Sequence, residues 1–321
     1  MIHRGHSINF TKKTVIFPPH LKPGDCVYIT APAKSIDQSA VDYAAHWLEK
    51  QGYRVQLSAH CIGQHHYFSG TDEQRRDDMQ RAIDDPEIKA IWCARGGYGS
   101  VRIVDQLNWK TFFAQPKWLI GFSDITVFHQ HLQKNKVCSI HATMPLNVAS
   151  NSNESLDSLV AVLNGHPRGL QAKPNTNTNN ILGSAEGDLI GGNLSVLCSL
   201  IGTDAQPNFT GKILFIEDLA EHLYQIDRMM YSLKKSGILK LVSGVVVGGM
   251  TDLKDTSPPF GLSYEQIIRE HVEQLGIPIA FDFPAGHIND NQALLLGARY
   301  RLNVDATGGR LEPRTTTKMG Q

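Results

Sequence analysis

Short apolar runs alternate with helix-length amphipathic segments along this chain, and that alternation constrains the fold more than any single motif. Residues 26–31, 53–57, 89–95, 118–120 and 139–142 read as strands. Between them lie helical patterns. Ser35-Ile36-Asp37-Gln38 and Thr71-Asp72-Glu73-Gln74 both have capping-box spacing and should open helices reaching about Gln51 and Asp85. A further helix is expected over 154–163. Strands and helices in this rhythm imply a parallel sheet covered on both faces, with ligands at the carboxyl ends of its strands. Two features fall there: Gly96-Gly97-Tyr98-Gly99 after the third strand, and Ser123 after the fourth.

At 321 residues the chain exceeds a comfortable single core, so two domains are expected. The pattern lapses where Pro167, Gly169, Pro174 and Asn175-Thr176-Asn177 cluster. This predicts an N-terminal α/β domain over 1–165, a linker over 166–182 and a second domain over 183–321. Residues 1–24 read as a polar arm. In the second unit, strands are expected over 187–192, 212–218, 244–250 and 278–283, with helices over 193–201, 223–235 and 263–275.

Composition narrows the function classes. Lys and Arg number 31 and Asp and Glu 31, so the basic surplus of a nucleic-acid binder is missing. No apolar run approaches the ~20 residues of a membrane span, and the N-terminus lacks the apolar region of a secretory signal. The cysteines Cys26, Cys61, Cys93, Cys138 and Cys198 are odd in number and widely spaced. They read as small buried hydrophobes rather than as disulfides or a zinc site.

Lys117-Trp-Leu-Ile-Gly-Phe-Ser-Asp-Ile-Thr126 is a strand, a tight turn and a helix start. A serine on such a turn is held clear of both elements, beside free N–H groups and a positive dipole end. That is the logic of a nucleophile elbow, though the G-x-S-x-G form is not met. The plain alternative is that Ser123 and Asp124 cap the helix. Glu217 ends an apolar strand; it could equally cap the next helix or pair with Arg228. His287 follows Phe283-Pro284-Ala285-Gly286 on a constrained loop, with His60, His65, His66, His129, His131, His141 and His222 as competitors for any role. His65-His66 lacks partners at metal spacing. The glycines at 96–99 lack the Lys-Ser/Thr of a P-loop, but they let backbone N–H groups approach a carbonyl oxygen. Serine, acid and histidine come in that order, each where an α/β sheet exposes residues, which is the set that acyl hydrolysis by a serine nucleophile needs.

Ala94-Arg-Gly-Gly-Tyr-Gly99, Gly121-Phe-Ser-Asp-Ile-Thr126, Ile216-Glu-Asp218, Ile226-Asp-Arg228 and Pro284-Ala-Gly-His287 together resemble the LD-carboxypeptidases. This serine peptidase family includes muramoyltetrapeptide carboxypeptidase and the microcin C immunity peptidase. The resemblance runs from about Leu21 to Leu302. It implies an α/β protein of two domains, a flavodoxin-like parallel-sheet domain followed by a β-rich domain with a mixed sheet, with the active site in the cleft between them. It implies Ser123 as nucleophile, His287 as base, Glu217 as the acid orienting it, and an oxyanion hole from the N–H groups of Gly97 and Asp124. Gly96, Tyr98 and Arg95 are candidates for substrate contact. Arg95 and Arg228 could bind the terminal carboxylate, with structural salt bridges as the alternative for both. No metal or organic cofactor, no nucleic acid and no membrane is implied. A homodimer is, acting in the cytoplasm on murein-derived tetrapeptide to release its C-terminal D-alanine in cell-wall recycling.

The chain departs from the family pattern at His141-Ala-Thr-Met-Pro145, where many members carry His-Gly-Pro-Met, and at Glu221-His-Leu-Tyr224, which lacks a frequent proline. Both bear on substrate choice. A peptidase acting on peptidyl-nucleotide antibiotics is one alternative, with Tyr98 or Tyr224 as a platform for a base. A non-catalytic two-domain binding protein is another.

Overall fold

The computed structural model describes residues 15–172 and 178–314. Residues 1–14 of the expected arm and 173–177 of the expected linker lie outside them. Residues from 15 onward lie against the body of the protein. Ile16 bridges to Val137, and Trp118 Nε1 donates to the Pro19 carbonyl at 2.8 Å.

The first half builds β1 (Cys26–Thr30), α1 (Gln38–Lys50), β2 (Arg54–Leu57), α2 (Asp72–Asp84), β3 (Ile88–Cys93), α3 (Lys110–Ala114), β4 (Trp118–Gly121), α4 (Thr126–Lys134), β5 (Ser139–His141) and α5 (Asn153–Leu163). The second builds β6 (Leu170–Gln171), β7 (Gly183–Asn193), α6 (Leu194–Ser199), β8 (Ile213–Leu219), α7 (Leu223–Lys235), β9 (Gly244–Thr251), α8 (Tyr264–Val272), β10 (Ile279–Ala280), β11 (Leu294–Leu296), β12 (Arg299–Asp305) and β13 (Gly308–Pro313).

Local chemistry explains much of this, with one correction. Thr71 and Gln74 form the reciprocal capping box that opens α2. The box at Ser35 does not form. The Ser35 N–H donates to the Tyr67 carbonyl and its own carbonyl accepts Arg95 Nη1, so residue 35 belongs to a loop. Helix α1 instead starts at Gln38, with no side-chain cap.

The first sheet has the order β11-β5-β4-β3-β1-β2. Strands β1 to β5 are parallel and follow the 2-1-3-4-5 order of flavodoxin-like sheets. Strand β1 and strands β3 to β5 are buried along almost their whole length, Lys89 of β3 excepted, as strands covered on both faces are. Strand β11 is antiparallel to β5 and comes from the far end of the chain. The second sheet, β10-β9-β8-β7-β12-β13-β6, is parallel from β10 to β7 and antiparallel from β7 to β6. Strand β6 lies within the stretch expected as a linker and pairs with β13.

Two hydrogen bonds tie α4, from the first sheet's unit, to the end of β7. Gln130 Nε2 donates to the Gly191 carbonyl at 2.8 Å, and Thr126 Oγ1 accepts the Asn193 N–H at 3.0 Å. A Cβ on Gly192 would stand 2.5 Å from Thr126 Oγ1, so only glycine lets the helix come this close. All five cysteines are free, and four of them are buried. Among the described residues no helix is long and apolar enough to cross a membrane, and no group of three or more His, Cys, Asp or Glu could hold a metal ion.

Candidate active site

Strand β4 ends at Gly121, and the chain turns sharply through Phe122 into a 3-10 turn over Ser123, Asp124 and Ile125 that leads into α4. Ser123 has φ of 64°, a left-handed conformation uncommon for a residue with a Cβ. Neither Ser123 nor Asp124 caps the helix with its side chain. Asp124, almost fully buried, turns away and its Oδ2 accepts the Ser100 N–H at 2.9 Å. Burial raises its pKa, and hydrogen bonds from Ser100 and the Gly99 backbone oppose that rise. The serine hydroxyl is thus held away from its own helix.

Strands β7 and β8 are paired so that Asn193 lies opposite Glu217. Glu217 is fully buried. It neither caps α7, where Gln225 Oε1 accepts the His222 N–H, nor meets Arg228, whose guanidinium lies over the Tyr224 ring. Its Oε2 instead accepts His287 Nδ1–H at 2.6 Å, and the His287 backbone N–H at 3.3 Å. On the other side of the ring, His287 Nε2 lies 3.2 Å from Ser123 Oγ. The Phe122 ring packs edge-on against the imidazole, with centroids 4.8 Å apart. Ser123, His287 and Glu217, separated by as many as 164 positions, form one continuous line of contacts.

The electrostatics follow from burial. Desolvation alone would lower the His287 pKa, but the Glu217 charge and hydrogen bond, with the nearby Asp218 charge, outweigh it and the pKa is raised. Asp218 points the other way, accepting Asn193 Nδ2–H and the Ser195 N–H at 2.9 Å each. Its pKa is pushed up to about 7, first by burial and then by Glu217.

The glycine loop lies directly on the serine. A Cβ on Gly96 would stand 3.0 Å from Ser123 Cβ and 3.2 Å from both Ser123 Oγ and the Asp124 nitrogen. The Gly96 carbonyl accepts the Lys34 N–H at 3.3 Å, so across the trans peptide the Gly97 N–H points away from Lys34. Among the described residues, neither Gly97 nor Asp124 gives its N–H to a backbone carbonyl outside the regular elements. The far side of Gly97 faces Tyr67 and Lys34. Tyr98 is half exposed. Arg95 is half buried, and neither it nor Arg228 belongs to an ion pair among the described residues, so the structural salt-bridge reading fails for both.

Sequence reading missed what braces this loop. Arg75 is fully buried under Phe68 and donates to the carbonyls of Pro32, Gly70 and Gly99. The only sequence signal was an arginine on the inner face of α2. The other histidines are placed elsewhere. His129 bridges Ser139 Oγ and the Gly121 carbonyl, and its burial lowers its pKa to about 4. His60 pairs with Asp78, His131 stacks on Trp109, and His65 and His66 lie together on a loop. His141 lies beneath Phe122, between it and Phe215.

The models of the LD-carboxypeptidase N-terminal and C-terminal domains match residues 27–142 and 186–302. A Bacillus subtilis protein named "Probable murein peptide carboxypeptidase" is 33% identical, over 89% of this chain and 91% of its own. The murein tetrapeptide carboxypeptidase of Pseudomonas aeruginosa is 32% identical, over 83% of this chain and 89% of its own. The crystal structure of muramoyltetrapeptide carboxypeptidase from Oxalobacter formigenes superposes with a TM-score of 0.81 at 28% identity, covering 90% of this chain and 99% of that one. With both domain models matched in order and relatives aligned along most of its length, this chain belongs to the LD-carboxypeptidase family of peptidases.

Proposed function

We propose that this protein is a serine-type LD-carboxypeptidase that releases the C-terminal D-alanine of a murein tetrapeptide. The observation that carries the reading is the contact line from Ser123 Oγ through His287 to Glu217 Oε2. Glu217 holds the proton on Nδ1, which leaves the Nε2 lone pair facing the serine. As Ser123 Oγ attacks the carbonyl carbon of the scissile bond, Nε2 takes its proton. The N–H groups of Asp124 and Gly97 receive the oxyanion, where preorganised donors are most effective. His287 then protonates the departing D-alanine amine, and a water, activated by the same nitrogen, hydrolyses the acyl-serine.

The murein-named relatives support the substrate class. Gly96, Tyr98 and Arg95 form the nearby rim, and Arg95 is the cation there suited to a terminal carboxylate. The working arrangement is a unit over 1–165 supplying Ser123 and a unit over 183–321 supplying Glu217 and His287, joined through 166–182. The proposed setting is cytoplasmic muropeptide recycling by a homodimer, read from the family resemblance.

The test is chromatographic detection of D-alanine released from murein tetrapeptide, with a peptidyl-nucleotide assayed in parallel. Turnover of tetrapeptide by wild type and none by Ser123→Ala is expected. A purified Ser123→Ala protein that keeps its turnover sinks the triad. Cleavage of the peptidyl-nucleotide alone leaves the triad standing and overturns the substrate.

A further inference from the structure

A carboxypeptidase has to hold the free carboxylate at the end of its substrate. That carboxyl carbon stands three bonds beyond the scissile carbonyl carbon, roughly 3–4 Å from it. The group that binds it must therefore lie within a side chain's length of the oxyanion donors. Gly97, proposed as one of those donors, has two polar side chains pressed against one face. A Cβ at Gly97 would stand 2.8 Å from the Tyr67 hydroxyl oxygen, and 2.9 Å and 3.4 Å from Lys34 Cβ and Cδ.

The fold holds both side chains in place. The Lys34 N–H donates to the Gly96 carbonyl at 3.3 Å, and Lys34 bridges antiparallel to Phe68. The Ser35 N–H donates to the Tyr67 carbonyl at 3.2 Å. The lysine stem lies along Gly97, and its Nζ stands over the Tyr67 ring, 4.9 Å from the centroid. Arg95 Nη1, on the Ser35 carbonyl at 2.9 Å, anchors the same segment.

The polar ends, by contrast, are unused. Among the described residues Lys34 has no carboxylate partner, and neither its ammonium nor the Tyr67 hydroxyl makes a hydrogen bond. Tyr67 is 43% exposed and Lys34 half buried, so both can meet a ligand from solvent.

We infer that Lys34, seconded by the Tyr67 hydroxyl, binds the terminal carboxylate of the substrate alongside Arg95. This rests on the carboxypeptidase reading above. The ammonium and the hydroxyl give the carboxylate oxygens donors of two kinds, and charge-assisted hydrogen bonds are the stronger class. The contact selects a free C-terminus. A blocked or extended peptide brings no charge to this point and leaves the cation unpaired. Because Lys34 packs on Gly97, a carboxylate drawn to it brings the preceding carbonyl to the oxyanion donors.

The experiment is isothermal titration of the full chain carrying Ser123→Ala, which separates binding from turnover. The ligands are murein tetrapeptide and the same peptide amidated at its C-terminus. The free acid should bind at least about tenfold tighter than the amide. Adding Lys34→Gln should cut that ratio at least about fivefold and leave amide affinity unchanged, which also shows that the variant folds. Lys34→Arg should keep most of the ratio, Tyr67→Phe should cut it about twofold, and Lys50→Gln, on α1, should leave it intact. Absence of binding, equal affinity for acid and amide, a ratio that survives Lys34→Gln, or one lost only in Arg95→Gln overturns the inference. D-Alanine release by the protein with Ser123 intact is measured separately. No release, with an acid preference that depends on Lys34, overturns the carboxypeptidase reading and leaves the carboxylate site standing.

Discussion

Gly286 passes so close to Glu217 that a Cβ at position 286 would stand 2.7 Å from Glu217 Cβ and 2.9 Å from Oε2. With φ of 108°, Gly286 also holds a conformation that side chains rarely adopt. This close passage sets His287 down against the carboxylate. Gly286→Ala should therefore push the loop outward and break the 2.6 Å Nδ1–Oε2 contact. The expected result is about 2 kcal/mol lost in chemical denaturation and a fall in kcat of at least about 100-fold. Unchanged kcat would show that the loop tolerates a methyl and that the close approach is incidental.

Ser123 sits at φ of 64°. With Ser123 as the proposed nucleophile, Ser123→Ala and Ser123→Gly should both lower kcat/KM by about 10⁴-fold or more. They should differ in stability. Glycine relieves the left-handed strain and alanine does not, so Ser123→Gly should be the more stable of the two by about 1 kcal/mol. Paired urea titrations read the difference.

Glu217→Gln keeps the shape and removes the charge. His287 loses the partner that fixes its tautomer and raises its pKa. The expected loss in kcat/KM is about 10³- to 10⁴-fold. In the proposed mechanism the neutral imidazole reacts, so residual activity should begin to rise at lower pH than in wild type. An acid limb that stays in place would assign it to another group.

The contributions of His287 and Asp218 to stability should decline as pH rises, opposed by His129, whose burial lowers its pKa to about 4 so that the unfolded state binds the extra proton between about 4 and 6.5. His287 is raised above its ordinary 6.5 in the folded state, so its contribution is full below 6.5 and is lost as pH passes the higher folded value. Asp218 acts in the same direction. Its pKa rises from 3.8 to about 7 on folding, so the folded state binds the extra proton between those values and loses stability across them. Urea titrations of wild type and Asp218→Asn at pH 5 and pH 8 isolate the Asp218 part: between those values the wild type should lose about 2–3 kcal/mol more than the variant. Equal losses in the two proteins would mean that Asp218 stays ionised when buried.

Thr126→Val removes the acceptor of the Asn193 N–H and leaves that buried donor unmet. The expected cost is about 1–3 kcal/mol. Because the bond joins α4 to the strand beside Glu217, kcat should fall several-fold more than KM changes. A loss of stability with kcat intact would separate the seam from the chemistry.

Much of this was written locally along the chain. The short, mostly apolar runs of β1, β3 and β4 read as strands covered on both faces, and the Thr71 box opened its helix as its side-chain chemistry demands. Ser123, Glu217 and His287 were each placed at strand ends, where side chains emerge from an α/β sheet. Long-range pairing was not legible. Strand β11 joins the first sheet although β10 and β12, on either side of it in the chain, belong to the second, and β12 pairs with β7; neither partner is marked within the segment itself. Residue type and period report whether a segment is buried and in what form, because those depend on the segment's own side chains. The 3.2 Å between Ser123 and His287 depends instead on Thr126 and Gln130 meeting the backbone of β7, and on glycines at 192 and 286 thin enough to let separate elements touch. Distance between elements far apart in the chain is set by packing, and only the folded chain supplies it.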